Sequence, residues 1–335
     1  MGHINIPIFI PHLGCPNQCI FCNQRYISGT FEFDESMVDK QIYDVISTVS
    51  STDEGEIAFF GGSFTGIDRS LMIRLLDIAQ KYVNNGSVTA IRMSTRPDYI
   101  NEEIICILKK YTISCVELGI QSMNDSVLNY LKRGHSSKDT INAIKLLKDN
   151  GFSFVGQMMI GLPTATLDDE IECAEFIAKN GAIGARIYPT LVFNCTELEI
   201  LTKNGEYIPL ELEEAVSRSA NVLQILQNNG IPCIRIGLCD SDNLHSEKSF
   251  VAGPNHPSIG EMVKSKLFLK IIEEKLIDLI GKSIIIECPV GKVSQVIGNK
   301  KKNLKELKKK YGFENIKIIE NDILTSYDII IKKEG

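Results

Sequence analysis

Short apolar runs rich in β-branched residues alternate along the chain with longer stretches whose apolar positions recur every three or four residues. The short runs, at 6–10, 57–60, 90–94, 116–120, 154–160 and 185–192, predict strands. The longer stretches, at 35–50, 70–83, 101–110, 124–131, 137–150 and 166–179, predict helices. Strict alternation of the two implies βα units around a parallel sheet, and six repeats fall short of the eight of a closed barrel. Ser137 followed by Asp139 opens one helix, and Asn150-Gly151 closes it with a pair suited to a left-handed turn. Glycines and polar residues gather just after the strands, as in Gly61-Gly62-Ser63, Thr95-Arg96-Pro97-Asp98, Gln121-Ser122 and Gly161-Leu162-Pro163. In parallel βα folds that rim is where active sites are assembled.

Beyond the repeats, 210–229 reads as a long amphipathic helix, 233–236 as a strand, 240–257 as an aperiodic loop and 259–280 as a helix. The 335 residues are 44% hydrophobic and 23% charged, which excludes disordered, collagenous and coiled-coil classes. That length allows one large domain plus a small one. The first 24 residues carry no Lys, Arg, Asp or Glu, but Pro7, Pro11 and Pro16 would break a spanning helix and no basic segment precedes them. A cytoplasmic protein without membrane contact is therefore expected. The net charge of −6 is unevenly placed, with 12 Lys against 7 Asp and Glu between positions 281 and 335. A basic tail on an acidic body suits nucleic acid, and equally a solvated helix face.

Ten cysteines without an export signal should stay mostly reduced. Cys106, Cys115, Cys173, Cys195, Cys233, Cys239 and Cys288 are scattered, and most suit core packing as small hydrophobes. Cys15, Cys19 and Cys22 instead place three thiols in one loop directly after the first strand, which points to a metal or cluster site. A closed zinc site wants four ligands; the next cysteine is Cys106, and His12 is the nearby residue that could complete a zinc set. Three and then two intervening residues suit a cubane whose three irons are held while the fourth stays open.

With Phe21 just before the last cysteine, this pattern resembles the signature of the radical S-adenosylmethionine (radical SAM) superfamily. The resemblance implies a [4Fe-4S] cluster on Cys15, Cys19 and Cys22, SAM chelated by the open iron, and an external electron donor. Reductive cleavage of SAM then yields a 5′-deoxyadenosyl radical. Phe59-Phe60-Gly61-Gly62-Ser63-Phe64-Thr65 stands where the superfamily binds the SAM amino group through backbone, with Ser63 replacing the usual acidic residue. Phe21, Gly61, Gly62, Ser63 and Arg96 are the implied cofactor-binding residues.

The runs 94–99 and 116–122, Arg133-Gly134-His135, the run 187–192 and Gly253-Pro254-Asn255-His256-Pro257 are all similar to the radical SAM domain of Elongator protein 3, over roughly residues 4–265. In that family the domain works with an acetyltransferase domain on wobble uridine of tRNA. Glu117, Gln121 and Arg186 are the candidate catalytic residues. Glu117 and Gln121 bracket a strand end where SAM or ribose could be hydrogen-bonded, and Arg96 and Arg186 suit a carboxylate or phosphate. His135 and His256 are weaker candidates. The 55 residues after 280 are too few for an acetyltransferase, so a separate acyltransferase partner is an open expectation. The tail instead resembles a KH RNA-binding module, in which a Gly-x-x-Gly loop clamps four nucleotides. Here Gly298-Asn299-Lys300-Lys301 keeps the first glycine and loses the last, and Gly298, Asn299, Lys300, Lys301 and Lys302 are the expected RNA contacts.

The expected architecture is α/β: a partial (β/α)6 TIM-like barrel over 1–265, a connecting helix over 266–280 and a small α+β KH-like domain over 281–335. The expected function is a radical SAM enzyme acting on RNA, most naturally tRNA. The alternatives are a radical SAM enzyme on a small molecule such as a porphyrinogen, and a non-catalytic iron–sulfur RNA-binding protein.

Overall fold

The computed structural model describes residues 3–10, 13–15, 19–28, 32–48, 54–238, 249–276 and 283–333. In chain order the elements begin β1 (His3–Phe9), α1 (Gln24–Ser28), α2 (Val38–Ile46), β2 (Glu54–Phe60), α3 (Arg69–Asn84), β3 (Ala90–Thr95), α4 (Glu102–Leu108) and β4 (Ile113–Gln121). They continue with α5 (Asp125–Tyr130), α6 (Ser137–Asp149), β5 (Phe154–Ile160), α7 (Leu167–Lys179), β6 (Gly184–Pro189), β7 (Val192–Phe193) and α8 (Glu197–Lys203). Then follow α9 (Leu212–Asn228), β8 (Cys233–Ile236), β9 (Phe250–Ala252), α10 (Ile259–Lys275), β10 (Ser283–Cys288), α11 (Val293–Ile297), α12 (Lys302–Tyr311), β11 (Asn315–Glu320) and β12 (Ile330–Lys333).

Two compact units result: Met1–Leu210 with Leu226–Asn255, and Glu211–Ile225 with His256–Gly335. The first is built on a seven-stranded sheet in the order β1-β2-β3-β4-β5-β6-β8, every pair parallel. Six sequential βα units with one further strand make the expected partial (β/α) barrel. A parallel strand covered on both faces needs an unbroken apolar run. The last seven residues of β4 and all but Gln157 of β5 are buried accordingly.

Local signals set the helix ends. Ser136 caps α6 and Asp139 closes a capping box, so the helix is entered one residue earlier than Ser137; Gly151 follows with φ 78°. Thr166 and Asp169 form the same box on α7. The stretch 35–50 resolves into one 3-10 turn, Glu35–Met37, and the shorter α2. The run 185–192, expected as one strand, is two. Pro189 has no N–H to continue the ladder, and the N–H and hydroxyl of Thr190 both donate to the Ile160 carbonyl, ending β6. The chain then turns into β7, which pairs antiparallel with β9. The expected loop 240–257 thus contains a short strand, while 239–248 lie outside the described residues.

The second unit carries the sheet β11-β10-β12, with β10 parallel to β11 and antiparallel to β12. Its core joins Phe268, Leu269 and Ile272 of α10 to Ile284 and Ile286 of β10, Val296 of α11, Leu307 of α12 and Ile316 of β11. The helix Ile259–Lys275 is therefore core material of this unit. Strand, helix, short loop, helix and returning strands follow one another in this unit. At the loop, Lys300 and Lys301 both have positive φ, 51° and 61°. A left-handed non-glycine residue costs roughly 1–2 kcal/mol, partly offset by the greater freedom of unfolded glycine. Lys301→Gly should therefore raise stability by roughly 0.5–1 kcal/mol in thermal unfolding. A lowered melting temperature would mean that the lysine side chain, not the backbone, sets the loop.

Candidate functional site

All six βα loops of the first unit leave the same end of a parallel sheet, and the residues singled out after the strands gather there. The loop after β1 carries Cys15, Cys19 and Cys22; Cys19 is buried and the other two are half-buried. The Cys22 N–H donates to the Cys19 carbonyl at 3.0 Å, a tight turn that brings the second and third thiols onto one segment. The Ile20 N–H donates to the Leu131 carbonyl and the Leu198 N–H to the Ile20 carbonyl, tying the loop to the ends of α5 and α8. Ile20 packs with Val127, Leu131, Met159, Leu162 and Leu198, and Phe21 lies against this group half-buried.

The glycines after β2 have a reason the sequence alone did not supply. A Cβ on Gly62 would sit 2.3 Å from the Leu13 carbonyl oxygen and 2.8 Å from that of Ile10. One on Gly14 would sit 2.2 Å from the Ser63 carbonyl oxygen. Backbone meets backbone here, which only glycine permits. The Ser63 N–H donates to the Leu13 carbonyl, and the Cys15 thiol donates to Ser63 Oγ at 3.6 Å. Gly61, Gly62 and Ser63 therefore seat the cysteine loop itself.

Among the described residues, no group of three or more His, Cys, Asp or Glu converges as ligands of a single ion would. Thiols that each take a different iron of a cubane stand farther apart than that. The site's electrostatics fit such a group. Burial pushes the Cys22 thiol up to about 12, with Cys19 and Cys15 adding to the rise and the Arg133 charge opposing it, so this thiol holds its proton until a cation displaces it. Two buried guanidinium groups bring positive charge to this site. Arg133 Nη1 donates to Cys19 Sγ at 3.4 Å. Burial opposes the Arg96 charge, but Asp98 together with Cys19 and Cys15 holds its pKa above the ordinary arginine value. Arg96 is 1% exposed, grips Asp98 through Nε and Nη2 at 2.9 and 2.8 Å, and leaves Nη1 without a hydrogen bond. Sequence reasoning assigned Arg133 no role; the signal was present in the run Arg133-Gly134-His135, but its meaning depends on a contact 114 positions away.

Glu117 and Arg186 meet in the sheet. Arg186 Nε lies 2.7 Å from Glu117 Oε2 and its Nη2 donates to Oε1 at 3.0 Å. Arg92 approaches Glu117 at 3.3 Å and Glu56 at 3.3 Å. Two acids and two bases form a buried row with no net charge. The carboxylates that Arg96 and Arg186 face are thus Asp98 and Glu117 of the chain itself. Gln121 ends β4 at φ 68°, beside a register shift, and accepts from Gln157 Nε2 at 3.2 Å. Left-handed backbone at a buried strand end is strain of the sort that collects at functional sites.

His135 is buried near the same end. Burial first, then the Arg133 and Arg96 charges, lower its pKa from 6.5 to about 3. The native state thus holds neutral imidazole while the unfolded chain takes up a proton below about pH 6.5. Stability tied to this group is complete above that pH and falls as the pH drops toward 3. Between pH 7.5 and 5 the loss should reach roughly 2 kcal/mol. His135→Asn should flatten that slope in urea unfolding, whereas an unchanged slope would place the titrating group elsewhere. His256 Nδ1 accepts from the Ser258 N–H at 3.0 Å, next to the start of α10. His12 lies outside the described residues.

In the second unit, Gly298 to Lys302 span the turn from α11 to α12. Lys300 and Lys301 are exposed, and Lys302 is ion-paired with Glu213 on α9.

The radical SAM superfamily profile matches residues 9–177 and the radical SAM C-terminal domain profile matches 183–268. The tRNA uridine(34) acetyltransferase of Methanocaldococcus jannaschii is 31% identical over 211 residues, 56% of this chain and 38% of that protein. Human Elongator complex protein 3 is 32% identical over 191 residues, 50% of this chain and 35% of that protein. The chain thus spans well under half the length of these curated relatives. Among solved structures, an N-terminally deleted Elp3 of Methanocaldococcus infernus superposes with a TM-score of 0.62 at 25% identity, covering 82% of this chain and 63% of that one. Streptococcus suis SuiB shares the fold, with a TM-score of 0.52 at 13% identity over 71% of this chain and 49% of that one. Among the described residues no helix is long and apolar enough to cross a membrane.

Proposed function

The chain belongs to the radical SAM superfamily, and from that premise we propose that it is an enzyme that cleaves SAM reductively in order to modify RNA, most naturally tRNA. The family uses a [4Fe-4S] cluster and SAM. The observation that carries the reading is the cysteine loop seated on Gly62 and Ser63 with the Arg133 guanidinium against Cys19. Cys15, Cys19 and Cys22 hold the cluster, which when bound supplies one electron to SAM. Everything else falls to the protein. Gly61, Gly62 and Ser63 offer main chain to the methionine end of SAM. Phe21 and the apolar group around Ile20 anchor the cysteine loop between the second and third thiols. Glu117 and Arg186 act as a neutral, rigid positioning pair, and Gln121 presents an amide at the strand end.

The RNA target is supported by the tRNA-modifying activity that names the archaeal relatives and by the basic second unit. Lys300 and Lys301 at the α11–α12 turn are the proposed phosphate contacts, in a KH-like order of elements. The boundary between the catalytic and RNA-facing parts then follows the two compact units. The test is release of 5′-deoxyadenosine by the anaerobically reconstituted protein, with a strong one-electron reductant, with and without bulk tRNA. Stimulation by tRNA is the expected result. Turnover indifferent to tRNA would send the substrate search to small molecules, and a fully loaded cluster without turnover would leave a binding protein.

A further inference from the structure

Arg133 stands apart from the other buried cations of the first unit. Arg96 faces Asp98, Arg186 faces Glu117, and Arg92 faces Glu117 and Glu56. Among the described residues no carboxylate forms an ion pair with Arg133. It is 8% exposed, its Nη2 donates to the Gly119 carbonyl at 2.9 Å, its Nε has no hydrogen bond, and its Nη1 reaches Cys19 Sγ. A buried guanidinium without a counter-charge is strongly unfavourable. The group its Nη1 reaches is the Cys19 sulfur, a cluster ligand on the reading above.

We infer that Arg133 sets the redox poise of the group held by Cys15, Cys19 and Cys22, favouring its reduced form. The inference rests on the reading that these cysteines hold a [4Fe-4S] cluster. Cluster reduction takes one electron from an external low-potential one-electron donor, breaks no bond in the protein and takes up no proton. It makes the ligand shell one unit more negative. A fixed positive charge in a site of low dielectric stabilises that state over the oxidised one, and hydrogen bonds to ligand sulfurs act in the same direction. The charge is locked in place rather than free to follow the change. Gly119 has no side chain where a Cβ would come within 2.7 Å of Arg133 Nη2, and Nη2 is held by the carbonyl of that same residue. Arg133 is thus a positioning and tuning residue that acts through Cys19.

The test is a reductive titration of the full chain, loaded anaerobically and followed by electron paramagnetic resonance without SAM. Arg133→Met should shift the reduction equilibrium at least tenfold toward the oxidised form, a midpoint about 59 mV lower for one electron. Arg133→Lys, which keeps the charge, should recover most of that shift. Gly119→Ala should displace the guanidinium without removing it and lower the midpoint in the same direction. A loaded Arg133→Met with the midpoint of the unaltered protein overturns the inference. If Arg133→Met takes up no iron, Gly119→Ala decides: a lowered midpoint upholds the inference and an unchanged one overturns it. Failure of the unaltered chain to load four irons overturns the cluster reading itself, an outcome distinct from loaded variants whose midpoints do not move.

Discussion

Cys19→Ala should abolish iron loading and 5′-deoxyadenosine formation together. Of the three cysteines, Cys19 alone is buried, and it receives the Arg133 guanidinium. Removing its sulfur leaves two half-buried thiols to hold three irons and leaves Arg133 Nη1 without its sulfur partner. The loss should be complete rather than graded, because two thiolates cannot hold a cubane that three are built to grip. Iron content and the visible absorption of the reconstituted protein give the first readout, and product chromatography the second. Stability should fall less than loading does: an alanine can occupy the volume of a small buried thiol, and the Ile20 hydrogen bonds that anchor the loop are main-chain. A Cys19→Ala protein with the full iron load would remove the cysteine triplet from the site.

Glu117→Gln should produce the largest loss of stability. Its carboxylate sits between Arg186 and Arg92, all three side chains no more than 10% exposed. Glutamine keeps the volume but removes the charge that two buried guanidinium groups share. Breaking a buried ion pair from one side costs about 3–5 kcal/mol, and because Arg92 retains Glu56 the lower end applies. Urea unfolding should show the loss, and adding Arg186→Met should restore part of it, since the orphaned cation is then gone. A change below about 1 kcal/mol would mean that water reaches the pair in solution.

The parts of the molecule that were legible in the sequence are those specified within a few residues. Short unbroken apolar runs and period-3.6 stretches located nearly every βα unit, and the cysteine spacing marked its loop without any tertiary knowledge. What escaped was set by distant contacts. Pro189 splits a β-branched run because the Thr190 hydrogen bonds to Ile160 close β6, and nothing in 185–192 states that. The roles of the loop glycines also depended on the partner that approaches them. Gly62 reads as a ligand-binding glycine, yet the groups nearest to its missing Cβ are the carbonyls of Ile10 and Leu13. Arg133 belongs to the run Arg133-Gly134-His135, but its contact with Cys19 is set by the fold and not by that run.

The path of α9 carries a consequence for how the protein is made. Its first fourteen residues belong to the second unit and its last three to the first, which then still requires β8 and β9. A ribosome delivers these segments in order, so neither unit can finish before part of the other has emerged. The seventh strand of the large sheet is synthesised only after α9, and the buried Ala215, Ala220 and Leu223 of α9 appear well before β10 and β12 are translated. For that interval the nascent chain displays the apolar face of a helix whose own unit does not yet exist, so the natural order of its biogenesis is joint maturation rather than one domain folding and then the next.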